Sequence, residues 1–127
     1  MFSRFKGKVR GKAKGQAVGP NKTEIAYGAL LEERRVKGEI LAYSYEPVKV
    51  RLADNTFYTP DYLVVAADYC LEFHEVKAAW KDKKTGGYKP HWESAGRVKI
   101  KVAVEQYPFF KFIAAAKTPT GWMYEEF

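Results

Sequence analysis

The stretch that decides the fold is residues 58–80, which read YTPDYLVVAADYCLEFHEVKAAW. Two apolar runs flank a short turn around Asp68, and this arrangement predicts a β-hairpin. Side chains two positions apart on a strand point to the same side, so Glu75 and Lys77 should share one face. Asp61 opens the first strand of the hairpin. We therefore expect two carboxylates and an ammonium group to lie close together.

The residues before the hairpin predict a helix. Asn21 is a favourable N-cap, Glu24 completes a capping box, and Gly38 suits the position after the last turn. The expected apolar side of this helix consists of Ile25, Ala29, Leu30 and Leu31, with Tyr27 beside it.

Patterning around the hairpin predicts the strands. Residues 48–52 alternate apolar and basic side chains, as a half-buried strand does. Together with residues 56–66 and 69–78 they predict a three-stranded meander. Residues 81–90 are polar and basic with two consecutive glycines, which indicates a loop.

Residues 93–106 predict a second helix, because their apolar positions follow helical spacing. Its buried stripe should contain Ile100, Ala103, Val104 and Tyr107. The apolar run 109–115 then predicts a buried strand. Residues 122–127 are acidic and aromatic, and they form either an edge element or a contact surface. The predicted order is α-β-β-β-α-β, an α/β (α+β) architecture with a mixed sheet flanked by helices.

Length and charge set the organisation of the chain. With 127 residues, 46% of them hydrophobic, it can form one folded domain. The formal net charge is +7, and residues 1–23 hold seven basic residues and no acid. We therefore predict a flexible basic arm, residues 1–20, and a single domain, residues 21–127. Such an arm favours a polyanion such as nucleic acid, with a solubilising or membrane-surface segment as the alternatives.

Several classes are excluded by what the sequence lacks. No apolar run approaches the roughly 20 residues that span a bilayer. Cys70 is the only cysteine, so an intramolecular disulfide and a cysteine-based zinc site are both excluded. No glycine-rich phosphate loop is present, which argues against a nucleotide cofactor. We expect a cytoplasmic protein without a membrane partner.

The two acids and the lysine suit metal-dependent phosphodiester hydrolysis. Asp61 and Glu75 supply oxygen ligands of the kind that Mg²⁺ takes, and the backbone carbonyl of Val76 can add another. Lys77 can stabilise charge on the phosphate or orient the attacking water. Plainer interpretations exist: Asp61 as a turn residue, and Glu75 with Lys77 as a surface ion pair. Glu24 is explained equally well by helix capping and by support of the metal.

The pair Pro60–Asp61 followed by Glu75-Val76-Lys77, on adjacent strands between two helices, resembles the motif of the PD-(D/E)XK nuclease superfamily. More narrowly, the chain is similar over residues 21 to about 115 to small phage-encoded endonucleases, including Holliday junction resolvases. The resemblance implies a restriction-endonuclease-like core and a Mg²⁺ cofactor that Mn²⁺ can replace. It also implies in-line attack that leaves 5′-phosphate and 3′-hydroxyl ends.

The same resemblance implies roles for other residues. Glu24 would support the metal or the water, and Lys77 would position or activate the water. The scissile region would be contacted by a basic residue of the second helix: Arg97, Lys99 or Lys101. The implied substrate is branched DNA in phage recombination or processing, and two symmetric cuts would need a homodimer.

The basic loop and the residue that follows it offer further substrate contacts. Lysines alternate there with aromatic residues, and a nucleic-acid strand can lie against such a surface. The candidates are Lys83, Lys84 and His91.

Two other function classes stay open. The first is a non-catalytic nucleic-acid-binding protein that retains the nuclease fold and the arm. A pure binder has no need of carboxylates beside phosphate, so the set of two acids and a lysine favours the enzyme. The second, a structural or adaptor protein, rests only on residues 122–127.

Overall fold

The structure is a computed structural model that describes residues 19–127, so residues 1–18 of the predicted arm lie outside the described residues. Two helices occur in this range, α1 (Lys22–Val36) and α2 (Ser94–Gln106). Neither of these two is long and apolar enough to cross a membrane. The strands of the described residues are β1 (Ile40–Tyr45), β2 (Val50–Ala53), β3 (Thr56–Tyr58), β4 (Tyr62–Ala66), β5 (Leu71–Lys81), β6 (Tyr88–Pro90), β7 (Lys111–Thr118) and β8 (Gly121–Glu126).

A mixed sheet is the centre of the fold. Strands β1, β4, β5, β7 and β8 are neighbours in that order, and β6 pairs with the far end of β5. β5 and β7 run parallel, since α2 lies in the connection between them, while the other pairs are antiparallel. β2 and β3 form a separate two-stranded sheet. The predicted class, a mixed sheet with flanking helices, is confirmed.

The predicted strand over residues 56–66 is wrong, because the structure divides it into β3 and β4. Between them Pro60 has no N–H to donate to a ladder, so strand pairing stops there. β3 pairs with β2, whereas β4 pairs with β1, a strand that the predicted order did not count. The chain therefore moves from one sheet to the other immediately before Asp61.

Two other segments are more regular than predicted. Residues 81–90, expected as a loop, contain the end of β5 and all of β6. The turn between these strands is held by Asp82, which accepts the backbone N–H of Lys84 and pairs with Lys89 at 2.9 Å. Most of residues 122–127 belong to β8, which pairs with β7 as an edge element, one of the two structures expected for this segment.

The sheet is covered on both faces by hydrophobic clusters. On one face α1 buries Tyr27 and Leu31 against β1, β4, β5 and β7. On the other face α2 buries Ile100 and Ala103 against β5, β7 and the β2–β3 hairpin. The stripe predicted for α2 is confirmed by these two residues. On the predicted apolar side of α1, however, Ile25 is 56% exposed and Ala29 is exposed as well, so the prediction was wrong for both.

The first turns of α1 approach β4 closely at Gly28. A Cβ atom at this position would lie 2.6 Å from the hydroxyl oxygen of Tyr62. That hydroxyl donates to the backbone carbonyl of Glu24 at 2.8 Å, so the tyrosine ring is held where it is. The glycine thus allows the start of α1 to lie beside the start of β4, next to Asp61.

Candidate active site

The register of β4 and β5 places Asp61 opposite Glu75. The last pair of their ladder is Tyr62 with His74, and one further step along both antiparallel strands reaches the two acids. The turn at the other end lies at residues 67–69, where the sequence predicts it. A slip of one residue would turn the side chains of one strand to the opposite face, so the register is what brings the acids together.

Asp61 is buried, and its Oδ2 atom accepts the backbone N–H of Val76 at 2.7 Å. Burial raises the pKa of Asp61 to about 8. The negative charges of Glu75 and Glu24 act in the same direction, while the hydrogen bond from Val76 opposes them. At neutral pH this carboxyl therefore favours a proton, or a cation in its place.

Glu75 is held by one partner on each carboxylate oxygen. Oε1 accepts the hydroxyl proton of Tyr58 at 2.7 Å, and Oε2 lies 3.1 Å from Nζ of Lys77. Burial raises the pKa of Glu75, and this effect exceeds the lowering by Lys77 and Tyr58. The side chains of Glu75 and Lys77 are only 12% and 19% exposed, so the surface ion pair of the plainer interpretation does not describe them.

Tyr58 is a site residue that the sequence did not reveal. It lies at the end of β3, in the hairpin that packs on α2, and its hydroxyl crosses to Glu75. Burial, followed by the charge of Glu75, raises the pKa of this phenol, so it keeps its proton and remains a donor. Its nearness to Asp61 in the chain was a weak signal, since nothing in the spacing indicates which way the hydroxyl points.

Glu24 caps α1 and also lies next to the acids. Its backbone N–H donates to Oδ1 of Asn21 at 2.9 Å, and its Oε1 accepts the backbone N–H of Asn21 at 3.0 Å, which confirms the capping box. The same oxygen accepts the hydroxyl of Tyr45 at 3.0 Å, a contact that the sequence did not indicate. Because its charge contributes to the raised pKa of Asp61, capping and nearness to the site coexist.

Of the predicted basic residues, Lys77 is the one that pairs with an acid of the site. Its Nζ atom also lies 5.0 Å from the centre of the Trp92 ring. Arg97 is turned to Glu125, with two hydrogen bonds of 2.9 and 3.2 Å, and contacts the same ring at 5.6 Å. Trp92 therefore contacts both Arg97 and Lys77, and only Lys77 reaches an acid of the site.

The other predicted substrate contacts lie on exposed positions. Two lie in the turn between β5 and β6, one follows β6, and two lie on α2: Lys83, Lys84, His91, Lys99 and Lys101. None of these five forms an ion pair within residues 19–127. The charge of the four lysines is thus available to an anion, but no contact fixes any of the five side chains next to the acids.

The groups suited to hold a metal ion are the carboxylates of Asp61 and Glu75 and the carbonyl of Val76. In the described part of the chain, no three His, Cys, Asp or Glu side chains are grouped so as to hold a metal ion. Mg²⁺ commonly takes one or two carboxylates from a protein and completes its shell with water and phosphate oxygens. Two buried carboxyls with raised pKa values therefore fit Mg²⁺, which would neutralise their charge.

Comparisons of the chain with protein-family models, with curated proteins and with solved structures found no match. The resemblance to the PD-(D/E)XK superfamily therefore stays a prediction, carried by the motif residues and their arrangement.

A separate cleft of about 660 Å³ opens on the α1 side, and its lining includes Glu72 and His74 but neither acid of the site. His74 is buried. Its Nδ1 lies 2.6 Å from the hydroxyl of Tyr27, and its Nε2 lies 2.9 Å from Oε1 of Glu72. Both ring nitrogens are satisfied, so this histidine joins α1 to β5.

Proposed function

We propose that the protein is a metal-dependent DNA endonuclease that hydrolyses phosphodiester bonds and belongs to the PD-(D/E)XK superfamily. The observation that supports this most is the meeting of Asp61, Glu75 and Lys77 at the end of the β4–β5 pair. A stable fold has no need of two buried carboxyls with raised pKa values beside each other, because their burial and mutual repulsion cost free energy.

Asp61, Glu75 and the carbonyl of Val76 would hold Mg²⁺, with Mn²⁺ able to substitute. When bound, the ion supplies charge neutralisation at the scissile phosphate and a water of lowered pKa. The hydrogen bond from the Val76 N–H fixes one oxygen of Asp61, and Tyr58 fixes one oxygen of Glu75. The protein thereby orients both carboxylates before any ligand arrives, which is the condition for electrostatic catalysis.

Lys77 donates hydrogen bonds to the attacking water or to a phosphate oxygen. In the proposed reaction a water oxygen forms a bond to phosphorus while the bond from phosphorus to the 3′ oxygen breaks. The water loses a proton and the 3′ oxygen gains one, so the products are a 5′-phosphate and a 3′-hydroxyl. Glu24 supports this site through its charge beside Asp61.

The basic residues around the site serve the DNA in this proposal. Residues 1–20 and the exposed cations Lys83, Lys84, Lys99 and Lys101 bind phosphates, whose counterions are released on binding. Arg97 and His91 flank the scissile region. We further propose branched DNA as the substrate, a homodimer where two strands are cut, and a role in phage DNA recombination or processing in the cytoplasm.

The experiment is a cleavage panel with labelled junction, flap, nicked, linear and single-stranded DNA, with and without Mg²⁺. We expect cleavage that needs the metal and leaves 5′-phosphate ends. Asp61→Asn and Lys77→Met should each lower the rate about 10²–10³-fold, the usual cost of one preorganised group. Lys117→Met is the matched control, because Lys117 is exposed and contacts Trp122 instead of the acids.

Two results would contradict the proposal. One is the absence of cleavage of every DNA in the panel with Mg²⁺ or Mn²⁺. The other is cleavage that persists unchanged in Asp61→Asn and Lys77→Met.

A second candidate is a nucleic-acid-binding protein without catalysis, which is favoured by the concentration of basic charge in residues 1–23. Metal titration separates the two functions. The enzyme should bind Mn²⁺ through Asp61 and Glu75, and the double variant Asp61→Asn/Glu75→Gln should lose that binding. A binder should show only salt-dependent affinity for DNA, with no effect of the two substitutions on metal binding.

A further inference from the structure

Trp92 lies between the proposed catalytic lysine and the hydrophobic cluster on the α2 face of the sheet. One residue, the N-cap Glu93, separates it from α2, and it packs on the cluster under that helix. Its ring centre is 5.0 Å from Nζ of Lys77, within the distance at which an ammonium group is attracted to an aromatic face. Lys77 therefore has two partners, the Trp92 ring and Oε2 of Glu75.

The Trp92 ring is held in place by Phe127, which follows β8, and by Arg97 of α2. The Phe127 ring meets it edge-on at 5.8 Å, and the Arg97 guanidinium lies 5.6 Å from its centre. Arg97 is in turn held by Glu125 through two hydrogen bonds. The backbone N–H of Phe127 donates to Phe112 of β7 at 2.9 Å, so these contacts are tied to the centre of the sheet.

The N–H group of Trp92, which is unpaired in the described part of the chain, indicates that the aromatic ring is the functional part of this side chain. Nε1 of Trp92 is buried without a hydrogen-bond partner among residues 19–127. An unpaired buried donor is unfavourable, and a phenylalanine would avoid it. The aromatic face toward Lys77 is the feature that both residues would share.

We infer that Trp92 is a positioning residue for Lys77: its ring holds the ammonium group beside Glu75 Oε2 in the orientation that the water or phosphate requires. The inference rests on the proposed nuclease function for the value of that orientation. The segment Glu125–Phe127, whose role the sequence left open, then serves to hold Arg97 and Trp92 in place.

The test uses the full chain with ¹⁵N-labelled lysine side chains, and NMR of the ammonium groups. The Lys77 signal is assigned by its loss in Lys77→Met. In the wild-type protein we expect it to be shifted by the ring current of Trp92 and protected from exchange. Trp92→Leu should move it to the position of exposed lysines, whereas Trp92→Phe should largely retain the shift. This measurement needs no DNA, so it tests the contact between Lys77 and Trp92 even if the protein does not cleave DNA.

Cleavage of DNA supplies the functional readout. Trp92→Leu should lower kcat about tenfold or more with little change in KM, since misplacement of a catalytic group affects the chemical step. Trp92→Phe should restore most of the rate, and Trp122→Leu, at the second lysine–tryptophan pair, should leave the rate per folded molecule unchanged. The inference is overturned if the Lys77 signal is the same in folded Trp92→Leu and wild type. It is equally overturned if Leu and Phe at position 92 give the same kcat.

Discussion

His74 and Glu75 are neighbours on β5, point to opposite faces of the sheet and have similar surroundings. Each is buried, each is bonded to a tyrosine from another element, and each is bonded to a charged side chain two residues away. For His74 these partners are Tyr27 and Glu72, and for Glu75 they are Tyr58 and Lys77.

The two faces differ in how their charge is balanced. On the α1 face the bond to His74 lowers the pKa of Glu72, which is the sign of a satisfied acid. On the other face burial and neighbouring negative charge raise the pKa values of Asp61 and Glu75 despite Lys77. The polar cluster on the α1 face is therefore satisfied by its own partners, whereas on the other face two carboxyls share one ammonium group and Asp61 favours a proton or a bound cation. This place for a cation is what distinguishes a candidate site from a structural polar cluster.

The sharpest test compares the glutamates of the two faces. Glu75→Gln should lower the rate of Mg²⁺-dependent DNA cleavage about 10²–10³-fold, because it removes a charge from the site. Glu72→Gln changes the same atoms on the α1 face and should leave the rate per folded molecule unchanged. Initial rates, normalised to the folded fraction from circular dichroism, provide the measurement. Equal effects of the two substitutions would remove the distinction between the faces.

Stability should depend on pH through Asp61. Its folded pKa of about 8 exceeds the ordinary value of 3.8, so the folded protein binds more protons between these values. Unfolding free energy should therefore fall as pH rises from about 5 to 8, by at most about 1.4 kcal/mol per pH unit for one group. Urea titrations at several pH values measure this slope.

Two controls accompany the pH series. Asp61→Asn should flatten the slope, and so should Mg²⁺, because a bound cation favours the ionised carboxyl. The surface acids Glu32 and Glu33 have lowered pKa values and lose their contribution to stability below their ordinary pKa of 4.5, outside this window. A slope that is unchanged in Asp61→Asn would show that another group titrates.

The close packing of the α1 face can be tested at Gly28. Gly28→Ala should destabilise the protein by about 1–3 kcal/mol, the usual cost of overpacking, because its Cβ would meet the Tyr62 hydroxyl. Tyr62→Phe removes that oxygen, so the double variant should be more stable than Gly28→Ala alone. Thermal unfolding of the four proteins gives the comparison. Additive effects of the two substitutions would argue against the contact.

The smallest effects on stability are expected from substitutions of Tyr27 and Tyr58. Tyr27→Phe removes a hydrogen bond to His74 and should cost about 1 kcal/mol of stability without changing the rate per folded molecule. Tyr58→Phe frees one oxygen of Glu75 and should lower kcat with a similar effect on stability. Rates and urea midpoints measured together separate the two outcomes. Loss of rate in Tyr27→Phe would contradict the structural role of the α1 face.

Local patterns of the sequence determined much of the fold. The capping box at Asn21 and Glu24 and the helical spacing of Ile100 and Ala103 depend on neighbouring residues alone, so they could be predicted. The same holds for the β4–β5 hairpin, whose alternation places Glu75 and Lys77 on one face. The prediction that Asp61, Glu75 and Lys77 lie close together followed from this hairpin.

Only the tertiary structure determines which residues surround Asp61, Glu75 and Lys77. The sheet change at Pro60, the crossing of the Tyr58 hydroxyl to Glu75 and the contact of Trp92 with Lys77 join elements that are distant in the chain. No spacing rule specifies such contacts, because they depend on how β2–β3, α2 and β8 pack on the sheet. The raised pKa of Asp61 has the same origin, since burial is a property of the packed molecule. The sequence thus determined that Asp61, Glu75 and Lys77 lie together on the hairpin, and tertiary packing withdrew them from solvent.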